Sequence, residues 1–126
     1  MNIQKFTQKS VEAINDCEKL AYEYGNQEIE QEHLLVALLR QEDGLILKLI
    51  EKMEINKEYF LNSAESKLAE RVKVSGGQVY IGQDLNKVLI SAEDEAKRMG
   101  DEYVSVEHLF LTLLKYPNKA MKELFK

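Results

Sequence analysis

Apolar residues recur at spacings of three and four along most of the chain, the pattern of helices that each bury one stripe. The first stripe is Phe6, Ala13, Ile14, Cys17, Ala21 and Tyr24, and another runs Ile81, Leu85, Val88, Leu89, Ala92, Ala96 and Met99. Each is followed by a Leu-rich segment, His33–Arg40 or His108–Lys115, apolar on nearly all sides. Such a pattern predicts a helix buried in the middle of a domain. Gly44–Lys52 and Lys119–Lys126 predict a third helix in each half, and Asn56–Glu70 a fourth with the stripe Tyr59, Phe60, Ala64 and Leu68. Thr7 is placed to cap the first helix with its hydroxyl. Gly25 and Gly100 stand where a left-handed residue would end a helix.

The two halves are copies. At a shift of 75 residues Gly25 meets Gly100, Glu32 meets Glu107 and His33 meets His108. Gln8, Glu18 and Ala21 recur as Gln83, Glu93 and Ala96. The expected fold is therefore all-α, with two tandem pseudo-repeats. Repeat one covers about residues 1–70 and repeat two about 82–126, joined by a polar linker at about 71–81 with Gly76-Gly77 inside it. A second copy of the fourth helix would begin beyond Lys126, so the last helix is expected to be missing and an apolar patch uncovered near the C-terminus.

Composition narrows the function. The 126 residues suit one domain, and 44% hydrophobic content suits a folded one. A formal net charge of −5 without a basic patch argues against nucleic acid. No apolar run is long enough for a membrane span, and Met1-Asn2-Ile3-Gln4-Lys5 has no signal-peptide core, so a cytoplasmic protein is expected. Cys17 has no cysteine partner and reads as a buried small hydrophobe. His33 and His108 lack metal-ligand spacing and read as packing or capping residues, each through one ring nitrogen. No phosphate-binding Gly-rich loop is present, and no catalytic residue, metal or cofactor is expected for this domain. Glu32 and Glu107 are explained first by helix dipoles, with a guanidinium ligand as the functional reading. Tyr22, Tyr80, Tyr103, Tyr116 and Phe110 are expected to be mostly buried or half-buried. Glu93-Asp94-Glu95 with Lys97-Arg98 reads as a solvated face with i,i+4 pairs.

The segments FTQKSVEAI, YGNQEIEQEHLLVALL and QVYIGQDLNKVLISAEDEAKRMGDEYVSVEHLFLTLL resemble the duplicated N-terminal domain of Clp AAA+ ATPases, over essentially the whole chain. They look more like the ClpB disaggregases than like the ClpC and ClpA unfoldases, which carry a Gly-Thr-Glu-His-type signature where this chain has Gln31-Glu32-His33 and Val106-Glu107-His108. The resemblance implies two repeats of four helices and a non-catalytic domain that captures unfolded or aggregated polypeptide. It also implies a homohexameric parent that uses ATP and Mg in domains absent from this chain. Adaptor proteins are further partners it implies. A ClpB-like groove would involve Thr7, Asp101 and Glu107. The alternative is a ClpC-like domain that binds adaptors or phosphoarginine, with Glu32 on the guanidinium, and feeds a protease. Gly82 stands where that symmetry would want a second hydroxyl like Thr7, which disfavours a second phosphate site.

Overall fold

The computed structural model describes residues 3–125. Met1, Asn2 and Lys126 lie outside them, and with them the first two residues read for a signal peptide and the end of the predicted segment Lys119–Lys126. After a 3-10 turn at Ile3–Lys5, helix α1 spans Gln8–Tyr24. The Thr7 hydroxyl accepts from the Ser10 backbone N–H (3.2 Å) and starts α1. Gly25, at φ 72°, ends it in the left-handed region. Helix α2 spans Gln31–Arg40, α3 Leu45–Lys52 and α4 Lys57–Ala69; α5 spans Gln83–Arg98, α6 Val106–Lys115 and α7 Lys119–Leu124.

The Leu-rich helix α2 forms the centre. Leu34, Leu35, Val36, Ala37, Leu38 and Leu39 are at most 2% exposed, with α1 on one side and α4 on another. Helices α5 and α6 pair as α1 and α2 do. Phe125, after α7, stacks on Phe60 of α4 and meets Phe110 of α6 edge-on. Leu39 is 1% exposed, whereas Leu114, its counterpart at the repeat shift, is 43% exposed.

Two short pairings cross between the repeats. Strand β1 (Glu28–Ile29) runs parallel to β2 (Tyr80–Ile81), with Ile29 opposite Ile81. Phe6 bridges Val104 in the same sense. The two pairings are equivalent under the repeat shift. In each, the entry to a long helix in one repeat is fixed by the loop before the buried helix of the other.

Several expectations are corrected. Tyr22, Tyr80, Tyr103 and Tyr116 are exposed, and only Phe110 of that group is buried, because each tyrosine lies off the core stripe with its hydroxyl in reach of water. Tyr59 is exposed on α4, whose buried stripe is Phe60, Ala64 and Leu68. Met99 and Ile81 are exposed at the ends of the α5 stripe. Glu95 is not solvated but buried, held by Arg98 one turn on and by Lys115 of α6. Residues 71–81 are strapped down: the Val74 N–H donates to the Gly25 carbonyl, Asn26 Nδ2 to the Val72 carbonyl, and β2 adds its strand.

Candidate functional site

The repeat shift produces two clefts, each where a long helix begins beside the start of the other repeat's buried helix. In the first, the α1 N-terminus meets the α6 N-terminus. The Thr7 N–H donates to the Val104 carbonyl (2.9 Å), and the Ser10 hydroxyl donates to the same oxygen (2.9 Å). The cavity beside them holds about 440 Å³ and is lined by Thr7, Gln41, Leu45, Ser105, Val106 and Glu107, among others. Its surface is mostly carbon. Gln41 donates to the Lys9 carbonyl (2.8 Å) and ties the loop after α2 to the cleft. Glu107 is exposed. Leu45 extends the apolar wall into an exposed row with Leu49 and Met53, four residues apart along α3 and just past its end.

Asp101 stands behind this cleft rather than in its lining. Its carboxylate accepts from His108 Nε2 (2.8 Å), while His108 Nδ1 accepts from the Ser105 N–H (2.9 Å). Repeat one has the same arrangement. His33 Nδ1 accepts from the Glu30 N–H (2.9 Å), and Nε2 donates to Asn26 Oδ1 (2.9 Å). Each histidine thus uses both ring nitrogens, one to cap its helix and one to hold the loop residue after the repeat's glycine. An Nδ1 that accepts puts the neutral ring's proton on Nε2. Burial, with the nearby charge of Arg71, lowers the His33 pKa to about 4.

The second cleft joins the α5 and α2 N-termini, and it holds Glu32. The Glu32 side chain is 3% exposed. Arg71 Nη1 donates to Glu32 Oε2 (2.8 Å), Arg71 Nη2 to Glu28 Oε1 (2.6 Å), and Asn118 Nδ2 to Glu32 Oε1 (2.9 Å). Burial opposes the charge on Arg71, but the hydrogen bond and charge of Glu32, with Glu28 and Glu30, outweigh it and raise its pKa. Glu30 occupies the position equivalent to Ser105. Its carboxylate accepts from the Gln31 N–H (3.0 Å) and the Asp84 N–H (3.1 Å), and so caps α5 from the other repeat. Burial pushes the Glu30 pKa up to about 7 against those two hydrogen bonds, with the charges of Asp84 and Glu28 adding to the rise. Gln31 is 1% exposed and links α2 to the Asp84 and Tyr116 carbonyls and to the Asn118 N–H.

The structure therefore brings Thr7 and Glu107 into one cleft, sets Asp101 behind it, and places Glu32 in the other. Glu30, Arg71, Gln31 and Asn118 escaped the sequence reading. Glu30 could have been found by lining up the copies, since it replaces Ser105 where Gly82 replaces Thr7. Arg71 has no counterpart within the chain, so no repeat signal marks it. A smaller apolar cavity of about 310 Å³ lies between α1 and α5, with Cys17, Ile29, Leu85 and Leu89 in its wall. Burial raises the Cys17 pKa far above the usual thiol range, with the charge of Asp16 adding to the effect, and its Sγ donates to the Ala13 carbonyl. Among the described residues no group of three or more His, Cys, Asp or Glu could hold a metal, and no helix is long and apolar enough to cross a membrane.

A duplicated all-α fold with crossed inter-repeat pairings defines a two-repeat helical domain. The chain belongs to the Clp repeat (R) N-terminal domain family, whose pattern matches residues 5–126. It is 43% identical over 122 residues to the chaperone protein ClpB of Nitratidesulfovibrio vulgaris, which covers 93% of this chain and 14% of that protein. It is 40% identical over 114 residues to ClpB of Porphyromonas gingivalis, covering 90% and 13% respectively. The chain thus spans about one-seventh of the length of these relatives. Among solved structures, the Hsp104 N-terminal domain from Candida albicans superposes with a TM-score of 0.85 at 22% identity, covering 96% of this chain and 79% of that one. The N-domain of ClpV in complex with a VipB peptide superposes at 0.78 with 19% identity, covering 98% and 78%. These two likenesses are of fold.

Proposed function

We propose that this domain captures unfolded or aggregated polypeptide for a ClpB-type, ATP-driven hexameric disaggregase in the cytoplasm, and that capture occurs at the Thr7–Glu107 cleft. The observation that carries this is the cleft's chemistry: a mostly carbon wall that continues onto exposed Leu45, Leu49 and Met53, with the exposed Glu107 carboxylate at its edge. Exposed apolar surface rimmed by polar groups suits an extended chain with apolar side chains. The carboxylate suits a basic residue or a backbone N–H in the same segment. A fold neighbour, the ClpV N-domain, is known in complex with a peptide, which supports peptide capture by this fold. Weak capture at each of six copies would gain strength from multivalency.

Glu107 and Leu49 give the cleanest test, because Thr7 and Asp101 also hold structure. Titration with a permanently unfolded polypeptide, such as reduced and carboxymethylated α-lactalbumin, should shift amide signals around Thr7, Val106 and Leu45. Glu107→Ala and Leu49→Asp should each weaken binding several-fold, with helical circular dichroism unchanged. Shifts confined to other surfaces, or full binding by both variants, would overturn the assignment.

A further inference from the structure

Helix α3 carries two apolar rows, and the fold uses one of them. Ile46 and Ile50 are buried and pack α3 onto the core. Leu45, Leu49 and Met53 form the next row around the helix, and all three are exposed. At about 100° per residue, Lys48 and Lys52 form the row after that, and both are exposed. Among the described residues neither lysine has a hydrogen-bond or ion-pair partner. Glu51, on the flank beyond them, is already taken by Lys57 at the start of α4 (2.9 Å). The acids nearest in sequence, Glu42, Asp43 and Glu54, lie past the two ends of the helix.

The equivalent helix of repeat two, α7, lacks this outer face. At the repeat shift Ala120 stands for Leu45 and Glu123 for Lys48. Ala120 and Leu124, the counterpart of Leu49, are half-buried against the core, and Lys67 of α4 holds the Glu123 carboxylate (3.5 Å). The inner row is kept in both helices, as Ile46 and Ile50 in α3 and as Met121 and Phe125 at α7. The repeated architecture thus does without the outer row, and an exposed apolar row with a charged rim marks a contact surface.

We propose that the outer face of α3 docks acidic amphipathic segments of the captured polypeptide, with apolar residues on Leu45, Leu49 and Met53 and carboxylates on Lys48 and Lys52. The apolar row and its lysine edge run side by side along about 12 Å of α3, so the matching partner is itself a helix with apolar residues three and four apart and acids on one flank. The face begins at Leu45 in the wall of the Thr7–Glu107 cleft and runs away from it along α3. The proposal rests on the capture reading and adds a selectivity to it: the lysine edge favours an acidic flank, whereas Glu107 favours a basic one.

Two fluorescein-labelled amphipathic peptides, with the same leucines and with either glutamates or lysines on the flank, test this on the whole chain. The glutamate peptide should bind several-fold tighter, as two exposed ion pairs allow, and should lose that advantage at high salt. It should also shift the amides of Lys48, Leu49 and Met53. Lys48→Glu combined with Lys52→Glu, which breaks no hydrogen bond, should reverse the order of the two peptides. Equal affinities in the wild type, an order that the double variant keeps, or shifts confined to other surfaces would overturn the proposal. Binding of the unfolded polypeptide around Thr7 and Val106 reports separately on the capture reading. If it persists while the two peptides bind equally, only the α3 proposal falls; if neither polypeptide nor peptide binds, both fall.

Discussion

Acid acts in opposite directions on Glu30 and His33, although both belong to the turn that opens α2. The folded state raises the Glu30 pKa from 4.5 to about 7, so it favours the protonated acid. That contribution to stability is complete below pH 4.5 and is lost as pH rises towards 7. The folded state lowers the His33 pKa from 6.5 to about 4, so it favours the neutral ring. That contribution is present above pH 6.5 and is lost as pH falls towards 4. The groups that face them are Asp84 and Glu28 around Glu30, and Arg71 and Glu32 around His33. Between pH 4.5 and 6.5 the two slopes oppose each other. Melting curves across that window should separate them. Relative to wild type, His33→Gln should gain melting temperature as pH is lowered, and Glu30→Gln should lose it. Parallel curves for all three proteins would remove both assignments. At the same scale, Gly82→Ala should push the Glu30 carboxylate off the Asp84 N–H and destabilise by about 1 kcal/mol, the worth of one hydrogen bond. Glu30→Ser in the same chain should recover most of it. A thermal double-mutant cycle with no coupling would show that the two residues do not share space.

Among the helices, legibility followed how many neighbours decide an element. The α1 boundaries were readable because Thr7 and Gly25 are local signals: a hydroxyl cap and a left-handed glycine act within one turn. The burial of α2 was readable because its composition leaves no polar face. Strands β1 and β2 were not, since two residues give no alternation to detect and their pairing is decided by the other repeat. Tyr59 was misplaced because a tyrosine fits a helical stripe by spacing while its hydroxyl favours the water side. For the candidate site, Glu32 and Glu107 stood out in the repeat, while Thr7 and Asp101 were named through the family resemblance. Which of them share a cleft was not visible, because the crossed pairings put Thr7 with Glu107 and leave Glu32 with Gly82. This geometry also sharpens what Thr7 variants report. Thr7→Ala removes the α1 cap and should cost about 1 kcal/mol of stability, whereas Thr7→Ser should keep nearly all of it. Urea unfolding would check this. A binding defect in Thr7→Ala that Thr7→Ser restores is therefore interpretable only beside those curves.

For the molecule as a whole, the crossed pairings make the repeats interdependent. The N-terminus of α1 rests on Val104, and that of α5 rests on Ile29 and Glu30. Gln31 spans α2, α5 and the loop before α7. A single cooperative transition is expected, with fluorescence of tyrosines in either half and far-ultraviolet circular dichroism giving coincident curves. Leu38→Ala, at the centre of α2, should lower stability by about 2–5 kcal/mol without splitting that transition. Two separated transitions would mean that each repeat stands alone.

The bridge between the ends of the chain has a further consequence, for synthesis. The Ser10 hydroxyl and the Val104 carbonyl that receives it are 94 residues apart. A ribosome delivers Ser10 long before its partner, and closing so long a loop is entropically slow. Until Val104 emerges, the start of α1 lacks its neighbour, and the leucines of α2 lack α5 and α6. During those seconds a nascent domain of this kind shows the same exposed apolar surface that it is proposed to recognise in other proteins.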